Sequence, residues 1–288
     1  MIAGHEIIGK VSKVGSGCEH IMVGDIVGAC PHRDSCGFCP NCKRGDDNLC
    51  QGDKSEVMYD PYFGGYATQV KLSEKWAFKI PDGMDLARLS PIMCAGITCY
   101  NPLKKYGKSG YRCAVVGVGG LGHMGVQFAS KMGMEVTAVS GNPEKEELCL
   151  KQLGAHKFIC TGDKKGQQEF EKQGFDLILN TGLAHNLQPI LNALRKGGVL
   201  LQVGLPDASK PLSFEHMATV TSQKSIVGGY IGNRGGIEEM LKFAKLHNVY
   251  PIVEVFPFEE FPKAYKRMVE ESPHFRVVVD VQTYNKAN

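Results

Sequence analysis

Four cysteines stand close together as Cys36-Gly-Phe-Cys39-Pro-Asn-Cys42, followed by Cys50. Four thiolates close a tetrahedral zinc shell at about 2.3 Å per bond. Gly37, Pro40 and Gly45 supply the turns that bring Cys36, Cys39, Cys42 and Cys50 to one point. An all-thiol set marks the closed, structural kind of zinc site, and it can add about 10–16 kcal/mol of binding energy to folding. The spacing argues against four unrelated buried thiols. A zinc-ribbon nucleic-acid module would need more: residues 31–51 carry little basic excess and no stacking aromatic except Phe38.

A second run, Ala114-Val-Val-Gly117-Val-Gly119-Gly120-Leu121-Gly122, reads as a strand, a G-x-G-x-x-G turn and a helix start. In such a loop Gly117 makes the turn and Gly119 lets a pyrophosphate approach the backbone. Gly122 lets helix pack on strand, and the helix N-terminus faces the phosphates. The flanking strand and helix argue against a purely structural turn. An NAD site would end its second strand in a carboxylate for the ribose hydroxyls. Here Glu135–Ser140 ends in Ser140-Gly-Asn, with Lys145 following. A small hydroxyl and a nearby cation leave room for a 2′-phosphate, so NADP(H) is favoured. Glu144 fits as a first-turn acid complementing a helix dipole.

The elements that must position these groups show two textures. Up to about Trp76, short β-like runs (Ile7–Val14, Asp25–Ala29, Tyr66–Leu72) are broken by glycines. From about Tyr111 to Val249, strands alternate with helices. The strands are Cys113–Val116, Val136–Val139, Phe158–Cys160, Asp176–Leu179, Val199–Val203 and Ile226–Val227. The helices are Leu121–Met132, Glu144–Leu153, Leu187–Leu194 and Gly236–His247. That alternation predicts an α/β fold with a doubly wound parallel sheet. After Pro251 a strand Val253–Phe256, a helix Phe258–Val269 and a strand Val277–Val281 follow.

The chain has 288 residues, 43% of them hydrophobic, and a net charge of +3. That is room for two ordinary domains, and too little charge to make nucleic acid or a membrane surface the main partner. No apolar run reaches the ~18 residues of a membrane span and no signal-peptide pattern opens the sequence. The 11 cysteines, odd in number and unevenly spread, read as cytoplasmic thiols plus a metal cluster, not as a disulfide framework.

The run Gly4-His5-Glu6-Ile-Ile-Gly9-Lys-Val11 resembles the G-H-E-x-x-G-x-V signature of the zinc-dependent medium-chain alcohol dehydrogenases. Val23-Gly-Asp25, the four-cysteine lobe, Gly64-Gly-Tyr-Ala67, Cys94-Ala-Gly-Ile-Thr98, the glycine loop and Phe275-Arg-Val-Val-Val-Asp280 follow in the family's order. The C-A-G-I-T run and the serine-ended second strand look most like the cinnamyl alcohol dehydrogenase branch. The resemblance implies a GroES-like catalytic domain and a Rossmann domain. The expected division is 1–104 (catalytic, zinc lobe 36–50), 105–250 (NADP-binding) and 251–288 (return to the catalytic domain). It also implies that His5 and Cys94 are catalytic zinc ligands, with Glu6 the adjacent acid that can enter the shell. Cys36, Cys39, Cys42 and Cys50 would hold structural zinc. Thr98 and the loop Gly117, Gly119, Gly120, Leu121 and Gly122 would lie along the cofactor, with Ser140 and Lys145 at its ribose. Hydride would pass reversibly between NADP(H) and a primary alcohol or aldehyde, aromatic or allylic ones among them. Taken alone, His5 reads as a hydrogen-bonded structural histidine and Cys94 as a buried thiol. The resemblance is what raises them to ligands.

The sequence departs from the family before Gly4. Relatives carry several dozen residues there, including the first strands, a third zinc-binding cysteine and a proton relay. The expectation is an N-terminally truncated chain, a misplaced start or a shortened form. Its catalytic shell would be completed by Glu6, and its uncovered strand edges would invite association. None of Cys18, Cys30 or Cys99 matches the lost ligand. Tyr230 and Ile231 are candidates for the pocket wall, and their region forms the subunit contact in relatives, so a homodimer is expected. His123, at the helix start, falls near the cofactor phosphates. Two other outcomes stay open: a catalytically impaired NADP-binding remnant, and a zinc-free enzyme resembling quinone reductases.

Overall fold

The computed structural model describes residues 2–52, 56–57, 64–270 and 275–283. The chain divides into two compact units, 1–97 with 231–288, and 98–230. In chain order the first stretch holds strands β1 (Ile7–Lys10), β2 (Ile26–Ala29), β3 (His32–Asp34), β4 (Glu56–Val57) and β5 (Phe78–Lys79). Helices α1 (Pro40–Lys43), α2 (Leu86–Leu89) and α3 (Ala95–Tyr106) accompany them. The middle stretch runs β6 (Arg112–Val116), α4 (Gly122–Lys131), β7 (Glu135–Ser140), α5 (Glu146–Lys151), β8 (Lys157–Cys160) and α6 (Lys164–Glu171). It continues with β9 (Phe175–Asn180), α7 (Gln188–Ala193), β10 (Leu194–Gln202), α8 (His216–Thr221) and β11 (Ser225–Gly228). Helix α9 (Arg234–His247), β12 (Val253–Pro257), α10 (Phe261–Glu270) and β13 (Arg276–Asp280) complete the described elements. No described helix is long and apolar enough to cross a membrane.

In the unit 98–230, six strands form one sheet in the order β8-β7-β6-β9-β10-β11, every pair parallel. This is the doubly wound order of dinucleotide-binding folds, reversing direction between β6 and β9. The alternation in the sequence foresaw it. Helices α6 and α8 leave no such signal: Phe170 is the one buried residue of α6 and α8 has none, too little for a helical period to register. Phe170, Phe175, Ile178, Leu187, Leu191 and Leu200 form the core on one side of the sheet. Phe175 has no exposed surface, and the Arg112 guanidinium lies 5.4 Å from its ring centre. Phe175→Ala is expected to cost about 3–5 kcal/mol in chemical denaturation, the range for emptying a fully packed aromatic site.

The other unit is β-rich. Strand β2 pairs antiparallel with β1 and β5, β3 with β4, and β12 pairs parallel with β13. Gly28 in β2 leaves room for the buried Met93 side chain, whose Sδ would lie 2.6 Å from a Cβ there and would have to shift. The β-like reading from Ile7 to Val14 shortens to Lys10, after which Val11 still exchanges hydrogen bonds with Gly24 and Asp25. The reading of Tyr66–Leu72 as a strand is corrected: it is irregular. Its start is fastened by Gly65 and Tyr66 amides donating to the carbonyls of Gly4 and Ala3. A Cβ on Gly64 would lie 1.9 Å from the Ile2 carbonyl, so only glycine permits this approach.

Candidate metal centres and dinucleotide loop

Cys39 precedes α1, whose first residue is Pro40; Cys42 lies within that helix and Cys50 follows the short turn Asp47–Leu49. Gly37 and Gly45 adopt φ of +76° and +85°, the left-handed region that glycine tolerates. The four sulfurs lie within 4.8 Å of one another. The Cys36–Cys42 separation of 3.9 Å matches the edge of about 3.8 Å that a tetrahedron with 2.3 Å bonds requires. Backbone amides of Phe38 and Cys39 donate to Cys36 Sγ, at 3.4 and 3.3 Å, and pull its pKa down. Amide donors from Gln51 and Cys42 hold Cys39 at about 6. Burial holds Cys42 up instead. Bringing all four to thiolate together takes a divalent cation between them, and the donor set suits zinc.

The lobe is fastened by a residue that the spacing did not single out. Asp47 is buried, accepts the Arg234 amide at 3.1 Å and pairs with the Arg234 guanidinium at the start of α9.

His5, Glu6 and Cys94 come together, with one donor atom from each within 4.8 Å of the others. Gly4, at φ +88°, turns the chain, and a Cβ on it would meet Tyr66 at 3.1 Å. Cys94 follows the tight turn Ser90–Met93. Burial lowers the His5 pKa, against the opposing pull of Glu6, which favours the neutral imidazole that ligates metals. Glu6 Oε1 accepts the Ala95 amide at 3.2 Å, and Oε2 accepts from the Arg276 guanidinium on β13. Burial and the Glu6 charge raise the Tyr66 pKa. Arg276 lies in the Phe275–Asp280 motif, but nothing in that pattern marks it as a partner of Glu6. A mixed nitrogen, oxygen and sulfur donor set that leaves room for a fourth ligand fits an open zinc site.

In the other unit, β6 ends at Val116 and α4 starts at Gly122. Gly117 has φ +87°, and a Cβ there would lie 3.0 Å from the Gly182 amide nitrogen. On Gly122 a Cβ would lie 2.0 Å from the Gly117 carbonyl, whereas on Gly119 it would meet nothing. Glycine is thus demanded by packing at two positions, and the third leaves an open approach to the backbone. Gly120 and Leu121 complete the turn, and Thr98 is buried in α3. Ser140 ends β7, and its Oγ accepts the Asn142 amide at 3.2 Å. Asn142 in turn caps the turn Pro143–Lys145 by accepting the Glu144 amide. Lys145 Nζ reaches back to the Val118 carbonyl at 2.7 Å, so the cation stands at the loop's edge. His123 is fully buried beside Gly119. Tyr230 is exposed; Ile231 is buried at φ +49°.

A model of the alcohol dehydrogenase GroES-like domain matches residues 1–82, and one of zinc-binding dehydrogenases matches residues 120–245. A probable formaldehyde dehydrogenase of Bacillus subtilis is 36% identical over 98% of this chain and 82% of its own length. Among solved structures, a cinnamyl alcohol dehydrogenase of Sorghum bicolor superposes with a TM-score of 0.87 at 33% identity, covering 98% of this chain and 82% of that one. A cinnamyl alcohol dehydrogenase of Helicobacter pylori, solved with NADP(H), gives 0.86 at 30% over 98% and 82%. With both domain models in order and relatives aligned along nearly the whole sequence, the chain belongs to the zinc-binding medium-chain alcohol dehydrogenase family.

Proposed function

We propose that this alcohol oxidoreductase is zinc- and NADP(H)-dependent and interconverts primary alcohols and aldehydes, cinnamyl-type ones among them. The observation that carries the reading is the convergence of His5, Glu6 and Cys94, a three-donor set with room for a substrate oxygen. Zinc bound there would act as a Lewis acid toward an alcohol or carbonyl oxygen. Glu6 is held for that role by the Ala95 amide and Arg276, which keep a carboxylate oxygen near both ligands. Cys36, Cys39, Cys42 and Cys50 would hold the structural zinc. Gly117, Gly119, Gly120, Leu121 and Gly122, with Thr98, would bind the dinucleotide. Ser140 and Lys145 would take the 2′-phosphate. The carboxylate-free end of β7 supports NADP(H), as does the NADP(H) complex of the Helicobacter relative. Residues 1–104, Thr98 apart, and 251–288 would serve substrate and zinc, and 105–250 the cofactor; residues 1, 53–55, 58–63, 271–274 and 284–288 of that division lie outside the described residues. The clustered thiols suit the reducing cytoplasm. The edge strand β11, with Ile226 and Tyr230 exposed, suits a homodimer, checked by sedimentation.

The test is NADPH oxidation with cinnamaldehyde, and the reading expects turnover that a zinc chelator abolishes. NADPH binding without turnover would make the chain an impaired remnant, and chelator-insensitive quinone reduction would make it the zinc-free type. Cofactor preference has its own check. Ser140→Asp places a carboxylate where it repels the 2′-phosphate, and is expected to lower the NADPH-to-NADH ratio of kcat/KM by about tenfold or more.

A further inference from the structure

Four carbonyls of the loop between β6 and α4 each receive a side-chain donor, and none of the donors belongs to the glycine pattern. The Thr181 hydroxyl, just after β9, donates to the carbonyls of Gly117 and Val116. Lys145 serves Val118. His123 Nδ1 stands 3.0 Å from the Gly119 carbonyl, and an oxygen that only accepts fixes the Nδ1–H tautomer. Cys99 Sγ donates to the Leu121 carbonyl at 3.3 Å. His123 and Cys99 have no exposed surface.

In a trans peptide the C=O and the next N–H point to opposite sides, and there is no cis bond among the described residues. Fixing the carbonyls of Gly117, Gly119 and Leu121 toward their donors therefore aims the amides of Val118, Gly120 and Gly122 the other way. Gly119, which has open space at its Cβ position, lies between them.

We propose that His123, Thr181 and Cys99 are positioning residues for dinucleotide binding: they lock three loop carbonyls inward, so that the amides are already aimed at the pyrophosphate. The inference rests on reading this loop as the NADP(H) site. A loop whose peptides flip binds more weakly by the fraction of time it is misaimed, whereas the chemical step after binding is unaffected.

The test pairs variants that remove a donor with variants that keep one. His123→Leu and Thr181→Val are expected to raise the NADPH dissociation constant about tenfold each, with kcat at saturating NADPH within about twofold of the unaltered chain. His123→Asn, whose Nδ2 sits where the ring Nδ1 does, and Thr181→Ser are expected to restore binding to within about threefold. Thermal unfolding of each protein establishes that it is folded. If His123→Leu does not fold, the Thr181 pair decides. Folded Leu and Val variants that bind NADPH normally would overturn the proposal. So would Asn and Ser variants as weak as Leu and Val, or kcat losses as large as the losses in affinity. An unaltered chain with no NADPH affinity is a separate result, which overturns the cofactor assignment on which the proposal stands.

Discussion

Cys39→Ser is expected to strip the four-cysteine lobe of its metal and to unfold the unit that contains it, while residues 98–230 keep their own protection from hydrogen exchange. The expectation follows from magnitudes. A structural zinc contributes about 10–16 kcal/mol to folding, while a whole domain is stable by a net of about 5–15 kcal/mol. Nothing else in the lobe offsets such a loss. Among residues 36–50 only Asp47 is buried, and its link to Arg234 includes a guanidinium more than a third exposed. The six-stranded sheet, in contrast, has a closed apolar core of its own around Phe175, Ile178 and Leu200. Thermal unfolding with exchange measured by mass spectrometry checks this. A Cys39→Ser protein that keeps its zinc and its midpoint would mean that the sulfurs are neighbours without being ligands.

A second large effect is expected at Glu6. Its two oxygens are engaged by the Ala95 amide and by Arg276, and an oxygen of the same carboxylate lies within 4.8 Å of the ligand atoms of His5 and Cys94. A metal held there would therefore compete with the guanidinium for one carboxylate, and substitutions at the two ends should act in opposite directions. Glu6→Gln removes the charge that a third zinc ligand needs, so the zinc of this centre should be lost while the lobe's zinc stays. Arg276→Met removes the competitor, so the zinc should be retained. When that zinc is then chelated, the half-buried carboxylate is left unpaired, and destabilisation should be large, up to about 3–5 kcal/mol. Metal analysis of the two proteins, followed by denaturation with and without chelator, reads both signs. Equal zinc content in Glu6→Gln and the unaltered chain would remove Glu6 from the shell.

Much of this architecture is legible in the sequence because its determinants are local. The four cysteines fall within a single short stretch, and the glycine pattern, its strand and its helix are contiguous. Their chemistry can thus be read from spacing alone. The βα alternation is legible because each buried strand is a short apolar run bounded by turns. Elsewhere local signals mislead. Helix α3 has Ala95, Ile97, Cys99, Tyr100 and Leu103 all buried and Pro102 inside, so it has neither the polar face nor the composition that marks a helix. Tyr66–Leu72 has β-forming residues, but the Tyr66 amide and that of Gly65 just before it go to the carbonyls of Ala3 and Gly4. The second candidate metal centre is not local at all. His5 and Cys94 were joined by a family resemblance, and Glu6 and Arg276 lie 270 positions apart, a separation that no pattern in one sequence bridges. The same holds for Asp47 with Arg234, and for the donors that hold the glycine loop. Lys145 was expected at a phosphate; its bond to the Val118 carbonyl depends on the fold.

The most direct test of the central claim is the zinc content of the purified chain, measured on a sample assayed for NADPH oxidation with cinnamaldehyde. Two zinc ions per chain with chelator-sensitive turnover is the predicted result: one ion in the lobe of Cys36, Cys39, Cys42 and Cys50, one at His5, Glu6 and Cys94. One zinc ion per chain and no turnover would contradict it, leaving a chain that keeps its structural metal without the catalytic one.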